Sequence, residues 1–179
     1  MASRRQSRIL AVQALYQLDL NPGDLEKSLD DFRDNFPIPE DSYPFFRRLV
    51  EGVREKRAEL DRLLKRHSEN WRLDRMSPVD RNILRLAAFE MQYCADVPPK
   101  AAMNEAIDLG KRFGSEESGA FINGILDSLF IEIQSGGRVE KPAPDNGTRQ
   151  HPAPVRRRAE KKNPVKGSAK DGELRYPHD

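Results

Sequence analysis

Residues 103–127 read MNEAIDLGKRFGSEESGAFINGILD. Met103, Ala106, Ile107 and Gly110 recur at steps that gather side chains on one face of a helix. Gly114 is placed to end that helix, at the position where a residue without Cβ is favoured. Ile122, Ile125, Leu126, Leu129 and Ile133 then repeat the helical spacing. The pattern predicts two helices joined by a short turn, with Gly110, Gly119, Ala120 and Gly124 letting helix backbones approach closely. Asn104, Glu105, Asp108, Glu117, Asn123 and Asp127 are scattered through the same stretch. They are either the parts of an active site or the polar edges of a helix pair.

The sequence on the N-terminal side is also helical in period. Ile9, Val12 and Tyr16, with Leu15 beside them, predict a helix from about Ser3 to Leu20, ended by Asn21-Pro22-Gly23. Asp24 can cap a second helix that presents Leu25, Leu29, Phe32 and Phe36, after which Pro37, Pro39 and Pro44 call for a loop. A long helix is expected from Ser42 and Pro44 to His67, its apolar stripe broken at Arg57. A short segment around Trp71 follows. Ser77, Pro78 and Asp80 then read as N-cap, first helical residue and reach-back acid of a mostly buried helix that ends before Pro98. Nothing alternates as a strand does. The fold class is all-α, with about six or seven helices and no internal repeat.

Residues 135–179 contain no Ile, Phe, Trp or Met and carry 11 Lys plus Arg against six Asp plus Glu. Such a segment buries too little apolar surface to offset the entropy of ordering, so a helical domain is expected at 1–134 and a disordered basic tail at 135–179. Truncation after Ser135 should leave the thermal unfolding midpoint nearly unchanged; a large drop would place part of the tail in the core. Arg156, Arg157 and Arg158 in the tail are available for nonspecific affinity for a polyanion by counterion release. The single Cys94 has no disulfide partner in the chain, which fits a reducing compartment. With no apolar run of membrane-spanning length and no signal peptide, the expected location is cytoplasmic, away from the membrane.

An enzyme needs a nucleophile, a proton-transfer group or a metal, and histidine commonly serves all three. His151 and His178 fall in the tail, and His67 continues an apolar stripe as a packed or half-exposed residue does. One Cys and one such His cannot form a structural zinc site, and Gly119 and Gly124 lack the strand and the Lys-Ser/Thr of a phosphate loop. Neither catalytic residues nor a metal nor a cofactor is expected. Arg4, Arg5 and Arg8, with no acid before Asp19, crowd a helix start where acids would be more stabilising. An anion docking there would use both the guanidinium groups and the open helix N–H groups.

The stretches RRQSRILAVQALYQLDL, FFRRLVEGV, SPVDRNILRLAAFEM and VPPKAAMNEAIDLGKRFGSEESGAFINGILD closely resemble the NusB family of bacterial transcription antitermination factors, in order over about residues 4 to 130. The resemblance implies two small packed helical bundles. It further implies binding of boxA-type single-stranded leader RNA together with the small-subunit ribosomal protein NusE, within the transcription elongation complex and in support of rRNA transcription. By the same resemblance Arg4, Arg5, Arg8, Glu117 and Phe121 border the RNA, Tyr16 and Asp80 belong to the ribosomal-protein surface, and Asn104 and Glu105 form a joint between helices. Two other readings stand beside it: a helical adaptor that binds protein and no RNA, and the NusB-like domain of an RNA methyltransferase fragment.

Overall fold

A computed structural model describes residues 4–68 and 75–136. The segment around Trp71, the first three residues and the basic tail lie outside the described residues. Seven helices follow in order: α1 (Arg4–Leu20), α2 (Leu25–Asn35), α3 (Tyr43–Glu55), α4 (Arg57–His67), α5 (Pro78–Tyr93), α6 (Pro99–Phe113) and α7 (Ser118–Gln134). The described residues contain no strand.

Local chemistry sets several of these ends. Asp24 accepts from the Lys27 backbone N–H at 2.9 Å and starts α2. At α5 the Ser77 hydroxyl accepts from the Asp80 backbone N–H at 3.1 Å and donates back to Asp80 Oδ2 at 2.8 Å. One orphaned backbone N–H at the helix start is thus satisfied, and the acid reaches back to the Ser77 hydroxyl. α6 ends at Gly114, whose N–H still reaches the Gly110 carbonyl.

α5 organises the whole domain. It packs against α1 and α3 on one side and against α4, α6 and α7 on the other, so two bundles share one buried helix. Ile83, Leu84, Leu86 and Met91 of α5 are fully buried, with Phe46, Leu49 and Leu60 before it and Ile122, Leu126 and Leu129 after it. The expected single helix from Ser42 to His67 is two helices. The break falls at Lys56, beside the interruption of the apolar stripe. There the chain changes neighbours: α3 packs on α1, whereas α4 packs on α7. Arg57, freed from the stripe, pairs with Asp19 at the end of α1, 3.0 Å away.

Close approach of helices depends on two glycines. A Cβ on Gly52 would run into the Phe89 ring, and one on Gly110 would lie 2.5 Å from the Ile122 side chain. The other small residues behave differently from the expectation. The space beside Gly119 holds the Lys111 side chain, while Gly124 and Ala120 face outward and a Cβ on Gly124 would meet nothing within 4 Å. Packing between α6 and α7 therefore explains Gly110 and not Gly124.

Candidate nucleic-acid interface

The start of α1 lies against α3, α6 and the α5–α6 connection, and its three arginines have three different surroundings. Arg4 donates to the Asp96 carbonyl at 3.0 Å and to Asp96 Oδ2 at 2.9 Å, while Arg48 of α3 holds the other carboxylate oxygen at 2.9 Å. Partial burial alone would raise the Asp96 carboxyl, but hydrogen bonds from Arg48 and its own backbone, with the charges of Arg48 and Arg4, hold it below its ordinary value. Arg5 stands 3.4 Å from Asp108 and 3.9 Å from Glu105 on α6. Both side chains keep about half their surface in solvent.

Arg8 departs from the solvent-facing arm expected of it. Its side chain is only 6% exposed and forks onto Glu90, with Nε 3.0 and 3.1 Å from the two carboxylate oxygens and Nη2 2.8 Å from Oε1. Glu90 is fully buried, and burial pushes its carboxyl up against the pull of Arg8. Glu105 lies 3.7 Å from Arg8, so this glutamate does sit at a joint, between α1 and α6. The guanidinium groups of Arg4 and Arg8 both lie over the Phe45 ring, at 5.2 and 5.5 Å from its centre. The physical reason for the departure is the helix period: Arg8, Val12 and Leu15 share the buried face of α1. Glu90, set between Phe89 and Met91, is its counterpart on α5, and an acid inside an apolar run was the available signal.

Glu117 precedes the first turn of α7 and is exposed, and Phe121 one turn later is partly buried against the core. Phe121 lines a groove with the end of α4, where His67 lies 2.8 Å from the Ser128 hydroxyl and 2.7 Å from Glu132. α6 connects the two regions: its Glu105 and Asp108 face Arg5, and its Gly110 and Lys111 receive the first turns of α7.

Toward the other end of α1, Tyr16 is 37% exposed. Asp19, one turn later, accepts from Asn82 at 3.1 Å and faces Arg85 at 3.4 Å, which fixes this end of α1 against the start of α5. Asp80 departs from the surface contact expected of it, since it is only 8% exposed and its carboxylate is turned onto Ser77. Its capping duty at α5 is the reason. Cys94 is buried, which pushes its thiol up to about 12 and makes a thiolate nucleophile unfavourable there.

The described residues thus form seven helices with half-exposed arginines at the start of α1 and a groove lined by Phe121, an arrangement that suits a binding surface. The model described as the NusB family matches residues 5–130. The transcription antitermination protein NusB of Desulfatibacillum aliphaticivorans is 49% identical over 141 residues, covering 79% of this chain and 99% of that protein. The protein of the same name from Bacillus subtilis is 43% identical over 131 residues, 73% of this chain and 97% of that one. Among solved structures, T. maritima NusB superposes with a TM-score of 0.67 at 38% identity, covering 73% of this chain and 92% of that chain. A complex of antitermination factors NusB and NusE with double-stranded RNA contains a chain that matches with a TM-score of 0.65 at 26% identity, 72% of this chain and 96% of that one. The chain belongs to the NusB family of transcription antitermination factors, which is non-enzymatic.

Proposed function

We propose that this protein binds boxA-type single-stranded leader RNA as a heterodimer with the ribosomal protein NusE, and that it acts in the cytoplasm within the elongation complex to support rRNA transcription. The observation that carries the reading is the pair Arg4 and Arg5, half exposed at the open N-terminal end of α1. RNA phosphates would find there two guanidinium forks at the positive end of the helix dipole. The similar chain found in complex with NusE and RNA supports the choice of partners.

Arg8 serves this surface indirectly. Its fork on Glu90 fixes the first turns of α1, and its guanidinium supports the Phe45 ring on which Arg4 also rests. The NusE surface is assigned to the far end of α1, where Tyr16 and Leu20 are exposed, with Asp80 holding the start of α5 beneath it.

Fluorescence anisotropy of a boxA-type oligonucleotide, with and without NusE, tests the reading. Binding strengthened by NusE is the expected result. NusE binding with no RNA affinity in either case would leave the helical adaptor.

Phe121→Ala is expected to weaken RNA binding by about 1 to 3 kcal/mol, the range for a base stacked on an aromatic ring. Because the ring is only partly buried, the same change should lower fold stability by less than the roughly 3 to 5 kcal/mol of a fully buried Phe. Chemical denaturation alongside the binding titration separates the two. Full loss of stability with RNA affinity intact in the folded fraction would make Phe121 a core residue alone.

A further inference from the structure

Asp80 has a second carboxylate oxygen that helix capping does not use. Oδ2 receives the Ser77 hydroxyl, whereas Oδ1 is buried and has no hydrogen-bond partner. It lies against the turn between α6 and α7: a Cβ on Gly114 would stand 2.6 Å from Asp80 Oδ1 and would collide with the Ser118 hydroxyl. Gly114 is extended, with φ of −93°, so space and not backbone conformation calls for a glycine there. Ser118 is 2% exposed; its hydroxyl accepts from the Ser115 backbone N–H at 2.8 Å and lies 3.1 Å from the Ser115 hydroxyl. The first turn of α5 is thus seated on the turn that begins α7, with a carboxylate oxygen and a hydroxyl crowded around one missing Cβ.

The same turn of α5 is tied to the end of α1. Asp19 accepts from Asn82, faces Arg85, and lies 3.9 Å from Arg81. Tyr16 and Leu20, the exposed residues assigned to NusE, stand one turn before and one residue after Asp19. Beyond the joint, Glu117 immediately precedes Ser118, and the Phe121 N–H donates to the Glu117 carbonyl at 3.0 Å. A continuous series of polar contacts therefore runs from the exposed end of α1, through Asp80, to the start of α7.

From this we infer that Asp80 is a positioning residue through which NusE, docked on the end of α1, fixes the start of α7 for RNA. A buried carboxylate oxygen without a donor is costly, and the Ser118 hydroxyl can turn its proton to Ser115 or to Asp80. The joint then has a looser arrangement, with the proton on Ser115, and a tighter one, with the proton on Asp80. NusE holds Asp19 and the first turn of α5 still, which favours the tighter arrangement, and RNA meets a surface already ordered. The inference rests on the RNA and NusE reading above and adds the route by which one partner strengthens the other.

Hydrogen exchange of the full chain tests the route with no RNA present. NusE alone should slow exchange of the amides of residues 114–118, and Ser118→Ala, which removes the hydroxyl without filling its space, should abolish that slowing. Gly114→Ala adds the Cβ that parts Asp80 from Ser118 and should do the same. In both variants NusE affinity should hold within about twofold, while the factor by which NusE raises affinity for a boxA-type oligonucleotide should fall about fivefold or more, the lower end of ordinary coupling between sites. Should Gly114→Ala fail to fold, Ser118→Ala carries the test.

An unchanged NusE gain in Ser118→Ala, or exchange at the turn that NusE leaves unaltered in the natural protein, would overturn the route. If NusE adds nothing to the RNA affinity of the natural protein, the reading of the partners fails instead.

Discussion

Arg8→Ala is expected to remove about 3 to 5 kcal/mol of fold stability, because it leaves the fully buried carboxylate of Glu90 without its partner. In a domain of this size that corresponds to a fall of roughly 10 °C or more in the unfolding midpoint. The contribution comes from geometry as much as from charge. Arg8 meets both oxygens of Glu90 through Nε and Nη2, a fork that lysine cannot reproduce, so Arg8→Lys should recover only part of the loss. The double variant Arg8→Met, Glu90→Leu removes both charges at similar volume and should lie much closer to the natural protein than either single change, since desolvation offsets most of the Coulombic gain of a buried pair.

The variant's pH dependence has a determined sign. Burial already raises the Glu90 carboxyl in the presence of Arg8, and removing the cation raises it further. The folded Arg8→Ala protein then holds a proton that its unfolded chain has released above the ordinary glutamate value. With more protons bound in the folded state, stability falls as pH rises from that value through the raised one. Denaturation midpoints measured at pH 5 and pH 8 would show the variant weaker at the higher pH. A loss of stability under 1 kcal/mol at both would mean that α1 is held by its apolar face alone.

The boundary between what the sequence shows and what it hides follows the range of the interactions. Asp24 and Ser77 mark helix starts by bonds that span three residues, and Pro78 by standing in the first turn of α5, and each does so in the structure. The faces of α6 and α7 likewise follow from periodicity, and Ala106, Gly110, Ile122 and Leu126 are buried as their spacing predicts. The break at Lys56 carries no proline or glycine and shows locally as the interrupted stripe at Arg57; the change of partner from α1 to α7 behind it is set by tertiary neighbours. Arg4 and Arg8, four residues apart, lie on one face of α1, yet the inner one meets the buried Glu90 and the outer one stays half exposed against Asp96. Gly124 and Gly110 look alike in a small-residue series, and only the identity of the facing element separates a packing glycine from an open one. Residue type marks each cluster, but the tertiary neighbours decide which of its members is buried and which is left open.

Removing Arg4 and Arg5 together should flatten the slope of log RNA affinity against log salt by about 1.4, since each phosphate contact to a single strand contributes roughly 0.7. Including Arg8 should add little to that change, because its guanidinium is already engaged inside the fold. Both outer arginines face carboxylates in the free protein, Arg4 with Asp96 and Arg5 with Asp108, so RNA must displace these pairs. Exposed pairs of this kind are worth only about 0 to 1 kcal/mol, and several phosphates with helix N–H groups outweigh them. The acids therefore act as weak competitors for the arginines. Asp96→Asn should raise RNA affinity slightly and most visibly at low salt, where the competition is least screened. The double arginine variant should lose affinity for matched and scrambled oligonucleotides alike and keep its fold, because phosphate contacts carry no sequence information. If its salt slope equals that of the natural protein, the start of α1 is a solvated terminus, and the phosphates must be met by NusE or by the basic residues beyond Ser135.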